Sequence, residues 1–398
     1  MKLSKPANQV LAYPLNSLLL SLFIAPSLVI ADVGDKANSV EHAQDDAYWA
    51  ELAQDYPAYE APKLAARVAA RNEDINGQWS AVIPWPHVPV TAANLPDGRI
   101  LTFSSNQPNA FPAGPEYSYA STWDPASNTF TDMPHDSHDM FCGHLSMLED
   151  GRVFINGGRN HVKTTSTFDF RSNSWTRIDN MNKGRWYPTT VAMPTGSVLT
   201  AIGSSGGQYP ELWTEGEGWK HLTGASLQTP ILSLTSNYEN NWWPLLHVDP
   251  RGKVFHSGPT PKMHVIDTVG LGKVTQVGPE ITDWYPKHGT TVMFEEGKLL
   301  VAGGAISGNN QASTNKAMVI DINGPSPTIT PIAPMANARK FQNGVMLPNG
   351  EVLVVGGNTS GVKFSDSGSV LAPEIWNPET QQWRTIASMV TPRNYHSI

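Results

Sequence analysis

The sequence predicts an all-β protein of the β-propeller class, and the prediction rests on a long internal repeat and on composition. Glycine occurs 33 times and proline 32 times in 398 residues, while charged residues make up only 16%. This composition is typical of many short strands joined by tight turns. The single cysteine excludes a scaffold held by disulfides within the chain.

The repeat is a turn followed by an apolar strand that ends in small residues. It occurs six times, as "LPDGRILTFSS", "LEDGRVFINGG", "MPTGSVLTAIGSSGG", "DPRGKVFHSGP", "FEEGKLLVAGG" and "LPNGEVLVVGG". The X-Gly pair suits a hairpin turn, and the Val, Leu and Ile run suits a strand buried on both faces. The turn glycines are Gly98, Gly151, Gly196, Gly252, Gly297 and Gly350. A β-sandwich, the alternative fold, predicts no such period.

The second half of each unit is a short strand, a polar turn and an aromatic outer strand, as in "STFDFRSNSWTRIDNM" and "PEIWNPETQQWRTIASM". Four strands per unit, a period near fifty residues and Gly-Gly after the second strand are typical of the kelch-type β-propeller. We expect seven blades over residues 78–398, with the last blade incomplete in this chain, because a seventh unit begins at "RNYHSI". The segment from Trp79 to Ile83 is predicted to complete that blade and close the ring.

The N-terminal residues 1–31 are predicted to form a signal peptide. Lysines precede the apolar run "NSLLLSLFIAPSLVIA", and Ala31 ends a cleavage site of the expected kind. A membrane anchor is the alternative, but a spanning helix needs roughly 20 apolar residues, and Pro26 interrupts this shorter run. Residues 32–77 are predicted to be an N-terminal linker or capping segment with some helix. We therefore expect a secreted or periplasmic protein with no stable membrane span after signal cleavage.

The charge of the chain argues against nucleic acid as a partner. The net charge is -8 and the sequence pI is about 5.8. The sequence contains no cluster of Lys and Arg that would neutralise a phosphate backbone. The expected partners are small molecules.

Three motifs carry candidate functional residues. They are "DMFCGHLSML" with Cys142, "GRWYPTT" with Tyr187, and "RNYHSI" with Tyr395 and His396. Each motif precedes a predicted inner strand, and inner strands line the axis of a propeller, so these residues are predicted to converge at one mouth. Each also has an ordinary interpretation, since a lone cysteine is most often a small buried hydrophobe and a tyrosine an amphipathic core residue.

From about residue 78 to the C-terminus these motifs, with "APEIWNPETQQWRTIASMVTPRNYHSI", resemble the copper-radical oxidases, the family that includes galactose oxidase and glyoxal oxidase. The resemblance implies that Cys142 is bonded through sulfur to an ortho carbon of Tyr187, giving a thioether-tyrosine that ligates Cu(II) and carries a radical. It implies that Tyr395 is the axial copper ligand and proton acceptor, and that His396 is an equatorial ligand. The implied reaction oxidises a primary alcohol, a small aldehyde or a carbohydrate with O2 and gives H2O2.

Such chemistry requires these residue types. Oxidation of an alcohol removes two electrons and one Cu(II) accepts one, so a second redox centre, here an electron-rich phenolate, must lie in the same site. Imidazole and phenolate oxygen suit Cu(II) in a tetragonal geometry. A metal-bound tyrosine can accept the substrate proton near neutral pH.

The chain also departs from the family pattern. The family's second histidine ligand and its all-β C-terminal domain follow the Tyr-His pair and would fall beyond Ile398, so we expect weak copper binding in this chain. Three other histidines near inner-strand starts are interpreted as packing or rim residues: His144, His247 and His288.

The substrate loop differs as well. Ser204 and Ser205 stand where galactose oxidase covers its thioether with a tryptophan, so a preference for small aldehydes, as in glyoxal oxidase, is the nearer analogy. The aromatic run "NYENNWWP", residues 237–244, is interpreted either as a wall for sugar stacking or as packing at a blade edge.

Two other functions remain open at this point. A non-catalytic kelch propeller that binds a protein or polysaccharide would require none of the four candidate residues. A propeller glycosidase would require paired carboxylates at the axial mouth, and acids such as Glu295 and Glu296 are predicted to lie in turns.

Overall fold

The computed structural model describes residues 77–112, 114–159, 162–203, 207–227, 243–282, 284, 286–305 and 312–395. The named elements in these ranges are all strands. The predicted signal peptide and nearly all of the predicted capping segment, up to residue 76, lie outside the described residues. No helix within the described ranges is long and apolar enough to cross a membrane.

The strands form antiparallel sheets of four, which we call blades 1 to 6 in chain order. Blades 1 and 2 consist of β1 (Thr91–Asn94), β2 (Ile100–Phe103), β3 (Ala120–Asp124), β4 (Thr129–Asp132), β5 (His144–Met147), β6 (Val153–Asn156), β7 (Thr165–Asp169) and β8 (Ser174–Ile178). Blades 3 and 4 consist of β9 (Thr189–Ala192), β10 (Val198–Ala201), β11 (Glu211–Thr214), β12 (Gly218–His221), β13 (Leu245–Val248), β14 (Val254–Gly258), β15 (Met263–Asp267) and β16 (Lys273–Val277). Blades 5 and 6 consist of β17 (Thr290–Glu295), β18 (Lys298–Ala302), β19 (Ala317–Asp321), β20 (Thr328–Ile332), β21 (Lys340–Met346), β22 (Val352–Asn358), β23 (Glu374–Asn377) and β24 (Gln382–Thr385).

Each blade is a simple meander in which consecutive strands are hydrogen-bonded neighbours. The first strands lie side by side, since β9 contacts both β5 and β13, and β17 contacts β21. The second strands carry the repeat's apolar run; all four residues of β6, for example, are buried. The turn ahead of β6 shows why the repeat needs glycine: Gly151 has a φ of 85° and donates its N–H to the Leu148 carbonyl at 2.9 Å. The predicted all-β propeller is therefore confirmed.

The hydrophobic core consists of layers between neighbouring blades. Leu101 and Phe103 of blade 1 pack with Ile155 and Phe168 of blade 2. Comparable layers join blade 3 to blade 4, blade 4 to blade 5, and blade 5 to blade 6. Leu148 and Phe154 of blade 2 pack with Val198 and Trp213 of blade 3. Blades 2 to 5 are therefore held on both sides, which fixes the residues at the starts of their first strands.

A tryptophan in the outer strand fastens each of several blades to the one before it. Its indole Nε1 donates to a backbone carbonyl just after the fourth strand of the preceding blade. The pairs are Trp175 with Met133 at 2.6 Å, Trp219 with Asp179 at 2.8 Å, and Trp383 with Ala333 at 2.8 Å.

Trp79 repeats this contact on the far side of blade 6. Its Nε1 donates to the Ala387 carbonyl at 2.6 Å, and Ala387 follows the fourth strand of blade 6. Trp79 thus occupies the position that an outer-strand tryptophan of a next blade would take. Residues 78–83 are not assigned as a strand, and the seventh blade stays a prediction.

Candidate active site

The candidate site is built from residues that lie at or just before the starts of the first strands and have a left-handed backbone. Cys142, with a φ of 61°, lies two residues before β5, and Tyr187, with a φ of 60°, lies two residues before β9. Four further residues share this conformation: Trp243 (46°), His288 (60°), Phe341 (62°) and Tyr395 (58°). For large side chains this region is uncommon and costs on the order of 1–3 kcal/mol each, and such strain clusters at functional sites.

Backbone hydrogen bonds join these positions from one blade to the next. The Tyr187 N–H donates to the Cys142 carbonyl at 2.9 Å, and the Trp243 N–H donates to the Tyr187 carbonyl at 3.2 Å. In the same way, the Phe341 N–H donates to the His288 carbonyl at 2.8 Å, and the Tyr395 N–H donates to the Phe341 carbonyl at 3.2 Å. The six residues, which we call the slot residues, therefore form two hydrogen-bonded runs of three, one from Cys142 to Trp243 and one from His288 to Tyr395.

The loop that carries Cys142 is held by a buried polar chain. The Nε2–H of His138 donates to the Gly157 carbonyl at 2.8 Å, which leaves its Nδ1 to accept from the Ser166 hydroxyl at 3.0 Å. The Ser166 oxygen in turn lies 2.8 Å from Nε2 of His135. Burial lowers the pKa of His138 to about 3 and that of His135 to about 4. Both rings are therefore neutral at pH 7 and act as fixed donors and acceptors.

The slot residues Tyr187 and Phe341 are each preceded, two positions earlier, by a fully buried arginine. Arg185 pairs with Glu211 at 2.9 Å and Arg339 pairs with Glu374 at 2.5 Å, and all four side chains have no exposed surface. Each guanidinium also donates to two backbone carbonyls of its own blade. These pairs fix the backbone that leads to the slot residues Tyr187 and Phe341.

The backbone two residues before Tyr395 makes the same hydrogen bond as the backbone two residues before Tyr187 and Phe341. The Arg393 carbonyl accepts the Gly357 N–H at 2.7 Å, and the carbonyls of Arg185 and Arg339 accept the Gly158 and Gly304 N–H groups, each at 2.9 Å. The backbone around Tyr395 thus follows the pattern of the two blades in which a buried arginine precedes the slot. This pattern explains how residues far apart in sequence place their side chains at equivalent positions of their blades.

Tyr187 is the centre of the cluster. Side-chain hydrogen bonds join it to Cys142 and to Tyr395. Its ring lies 4.1 Å from the ring of Trp243, tilted by 60°, and is stacked on the neighbouring Trp186 at 4.7 Å. Phe141, Cys142 and Tyr187 form one buried cluster against which Val90 also packs. Trp243 reaches Tyr395 as well, with ring centroids 5.9 Å apart in an edge-on arrangement.

The site disfavours charge on its own side chains. Burial raises the pKa of the Tyr187 hydroxyl well above its ordinary value, and the nearby Cys142 and Tyr395 raise it further. Burial likewise raises the pKa of the Cys142 thiol. Without a cation, both groups are protonated at neutral pH, so a phenolate at Tyr187 requires a positive charge beside it.

The structure thus brings three of the four predicted site residues together: Cys142, Tyr187 and Tyr395. His396 lies outside the described residues, as do Ser204, Ser205 and residues 237–242 of the aromatic run. Trp243 of that run packs on Tyr187 and Tyr395. The chemical roles assigned to these residues stay predictions.

A cavity of about 450 Å³ opens next to the cluster. Cys142 and Tyr395 line it, together with Trp243, His288 and Phe341. Sequence reasoning interpreted His288 as a packing or rim residue and passed over Phe341. The signal that locates both is the repeat register, because each stands at the start of a first strand, like Cys142 and Tyr187.

Comparison with known proteins identifies the family of the chain. Residues 113–398 match the family model described as glyoxal oxidase N-terminus. The chain is 32% identical over 344 residues to galactose oxidase of Gibberella zeae, a match that covers 81% of this chain and 50% of that protein. The chain belongs to the galactose oxidase and glyoxal oxidase family.

Two further members of this oxidase family show its breadth. Aldehyde oxidase GLOX of Vitis pseudoreticulata is 26% identical over 289 residues, covering 65% of this chain and 53% of that protein. A solved fungal alcohol oxidase of the AA5 family, in complex with copper and noted for catalytic diversity, superposes with a TM-score of 0.76 at 30% identity. That superposition covers 80% of this chain and 69% of the other. The chain spans about half the length of the curated oxidases that it matches.

Proposed function

We propose that this oxidase-family protein is a copper-dependent oxidase that converts a primary alcohol or an aldehyde with O2 and releases H2O2. The observation that carries the proposal is the contact of Tyr187 with both Cys142 and Tyr395 inside a buried aromatic cluster. For an alcohol the balance is RCH2OH + O2 → RCHO + H2O2, in which two electrons and two protons pass from carbon and oxygen to O2.

The donor chemistry of the site fits copper. Tyr187 and Tyr395 offer phenol oxygens in contact with each other, and His396 follows Tyr395 directly in the sequence. Cu(II) takes phenolate and imidazole ligands. Within the described residues no three His, Cys, Asp or Glu side chains are grouped to hold a metal. The raised pKa of Tyr187 means that a bound cation is what would hold it as phenolate.

Each side chain then has a distinct task. Copper(II), when bound, would accept one of the two electrons, and the Tyr187 ring would accept the other. Tyr395 accepts the hydroxyl proton of the substrate. Trp186 stacks on the Tyr187 ring and Trp243 packs against it at a tilt, and the Arg185–Glu211 pair positions Tyr187.

A thioether between Cys142 and Tyr187 would lower the potential of the ring, because sulfur donates electron density. Its formation breaks one S–H and one aromatic C–H bond, forms one C–S bond and sends two electrons and two protons to O2, which becomes H2O2. Hydrogen bonding already holds the two side chains together, so little reorganisation is required.

The test is the covalent bond itself. The full-length gene product is prepared without metal, loaded with Cu(II) in air, digested and examined by mass spectrometry. We expect a crosslinked Cys142–Tyr187 peptide that has lost two hydrogens, absent from Cys142→Ser and unchanged in Tyr119→Phe, a half-exposed tyrosine outside the cluster. If the loaded protein instead keeps a titratable thiol, the oxidase proposal is wrong, and a propeller that only binds a partner becomes the better account.

We further propose that the protein is exported, on the basis of the apolar run that ends at Ala31. Expression of the whole gene with its own N-terminus should yield an extracellular or periplasmic protein that begins at Asp32. N-terminal sequencing checks the site, and recovery of the intact Met1 terminus in the membrane fraction would favour an anchor.

A further inference from the structure

A second cavity, of about 400 Å³, lies on the outer strands where blade 2 meets blade 1, and we call it the outer cavity. One wall is the segment from Asp132, the last residue of β4, to Ser137. The other wall consists of Asn173, Trp175 and Arg177, in and just before β8. The Arg177 guanidinium joins the walls, because it donates to the Ser137 carbonyl at 3.3 Å. The candidate active site, in contrast, is built at the first strands.

Two stacked rings line the outer cavity. The imidazole of His135 lies on the indole of Trp175, with centroids 5.1 Å apart and an interplanar angle of 21°. The Nε1 of Trp175 donates to the Met133 carbonyl at 2.6 Å, which holds the indole in place. Small-molecule sites commonly combine such rigid aromatic surface with a few placed polar groups, in cavities of about 300–1,000 Å³. The outer cavity has a size in that range.

The hydrogen bonds of His135 determine which of its ring nitrogens carries the proton. The Nε2–H of His138 donates to a carbonyl, so its Nδ1 accepts the only hydroxyl proton of Ser166. The Ser166 oxygen must then accept the Nε2–H of His135. A neutral imidazole has one N–H, so Nδ1 of His135 is left as an acceptor.

This acceptor is available to a ligand. Among the described residues none donates a hydrogen bond to Nδ1 of His135, which lies 4.0 Å from Oδ1 of Asp136, another residue of the outer cavity. His135 is only 4% exposed. Acceptors on side chains this deeply buried are normally matched by a donor. The outer cavity therefore contains a fixed acceptor that a bound molecule can use.

The outer cavity as a whole offers more acceptors than donors. Asp132 and Asp136 contribute two carboxylates on exposed side chains. The side-chain oxygen of Asn173 accepts from Arg99 at 2.7 Å, which leaves its NH2 group as a donor. Arg177 contributes a positive charge, and two carboxylates against one guanidinium leave the lining acidic. The lining therefore favours a ligand rich in O–H donors and disfavours an anion.

We propose that the outer cavity binds a neutral sugar unit of an oligosaccharide or polysaccharide. A pyranose ring brings hydroxyl donors for the two carboxylates and for Nδ1 of His135, oxygens that accept from Arg177, and an apolar C–H face for Trp175. A metal ion lacks ligands here, since the described part of the chain groups no three acidic, Cys or His side chains. This site goes beyond the proposed oxidase function and does not depend on it. It would hold the protein on a glycan while the cavity beside Tyr187 stays open to small substrates.

Binding of defined sugars tests the ligand class. The purified full-length gene product, before copper loading, is titrated with cellohexaose, maltohexaose, mannohexaose and the hexamer of galacturonic acid, and dissociation constants are measured by calorimetry. We expect at least one neutral hexamer to bind with a dissociation constant of about 1 mM or below. The anionic hexamer should bind at least about tenfold more weakly. Absence of binding by all three neutral hexamers, or equally tight binding of the anionic one, would overturn the proposal.

A pair of double variants assigns the binding to the outer cavity. Asp132→Ala combined with Asp136→Ala removes two acceptors from exposed side chains and should weaken binding of the neutral hexamer at least about tenfold without lowering the melting temperature. Glu217→Ala combined with Glu379→Ala makes the same change of charge at exposed turn positions of blades 3 and 6 and should leave binding unchanged. Binding that survives the first pair, or that falls equally in the second, would contradict the proposal.

Hydrogen–deuterium exchange then locates the bound sugar. With the tightest-binding neutral hexamer in excess, peptides covering residues 132–137 and 173–177 should exchange more slowly than in the free protein. Peptides covering Tyr187 and Tyr395 should exchange at an unchanged rate. Protection confined to the peptides of Tyr187 and Tyr395 would place the sugar at the candidate active site and overturn the proposal.

Discussion

The backbone N–H of Tyr187 donates to the carbonyl oxygen of Cys142 across 2.9 Å. The two residues belong to adjacent blades, and this bond sets their backbones in register whether or not their side chains are linked. Both residues have a positive φ, and their side chains pack in one buried cluster. The fold therefore places Cys142 and Tyr187 next to each other before the proposed thioether bond forms.

Gly158→Ala should disturb this geometry and slow crosslink formation strongly. A Cβ at Gly158 would collide with the Asp139 carbonyl in the loop that carries Cys142. Gly216→Ala is the control, because Gly216 also has a positive φ, of 79°, but nothing lies within 4 Å of its added Cβ. Both variants place an alanine at a positive φ, which costs at least about 1–2 kcal/mol, and only Gly158→Ala adds the collision. Equal crosslinking rates in the two would therefore contradict the role assigned to the loop. The rate is followed by peptide mass spectrometry after copper addition.

Arg185→Met should destabilise the protein by about 3–5 kcal/mol, because it leaves the Glu211 carboxylate buried without its partner. Arg339→Met, which disrupts the corresponding Arg339–Glu374 pair of blade 6, should cost a similar amount. Denaturant unfolding measures both. The double variant Arg185→Met with Glu211→Leu should recover only part of the loss, because Glu211 also accepts the backbone N–H groups of Asn182 and Lys183. A coupling energy near zero between the two substitutions in the double-mutant cycle would show that the pair is not the cause.

Stability should fall as the pH drops from about 6.5 towards 4. Burial holds the pKa of His138 and His256 at about 3, and that of His144 at about 4, below the value near 6.5 of an unfolded histidine. In this pH window these histidines are protonated in the unfolded chain and neutral in the folded chain. Each of them therefore lowers the free energy of unfolding by up to about 1.4 kcal/mol per pH unit as the pH falls. Asp139 opposes the trend, since burial raises the pKa of its carboxyl to about 6 and the folded state then binds the extra proton. Melting temperatures measured across this range test the sign, and a constant or rising value on acidification would contradict it.

Trp79→Phe should loosen the junction between the N-terminal segment and blade 6. The substitution keeps an aromatic ring and removes the hydrogen bond to Ala387, a loss on the order of 1 kcal/mol. Trp175→Phe removes the equivalent bond between blades 2 and 1 and is the comparison. We expect similar losses of melting temperature in both variants. If Trp79→Phe leaves the melting temperature unchanged while Trp175→Phe clearly lowers it, residues 77–83 do not close the ring.

Sequence reasoning located the strands well, because Gly151 and its repeats mark a turn whose backbone only glycine adopts easily. It also singled out Cys142, Tyr187 and Tyr395, whose residue types stand out within the repeat and whose side chains lie together in the structure. It did not find that Phe111 and Phe364 stack beside Tyr395. Their stacking depends on two loops from blades that are distant in sequence, and no spacing within either loop records that contact. Arg185 and Glu211 were missed for a similar reason, since a buried charge pair has the same residue types as a surface pair.

The slot residues have one more consequence. The backbone at each slot is held by main-chain hydrogen bonds and by neighbouring blades, and Cys, Tyr, Trp, His and Phe all occupy it with nearly the same φ. The identity of a slot residue is thus largely independent of the scaffold that presents it. A lineage that carries this propeller can therefore acquire, exchange or lose a reaction by substitution at a few slots while the ring folds as before, which allows oxidases of different substrates and inactive binding proteins to descend from one architecture.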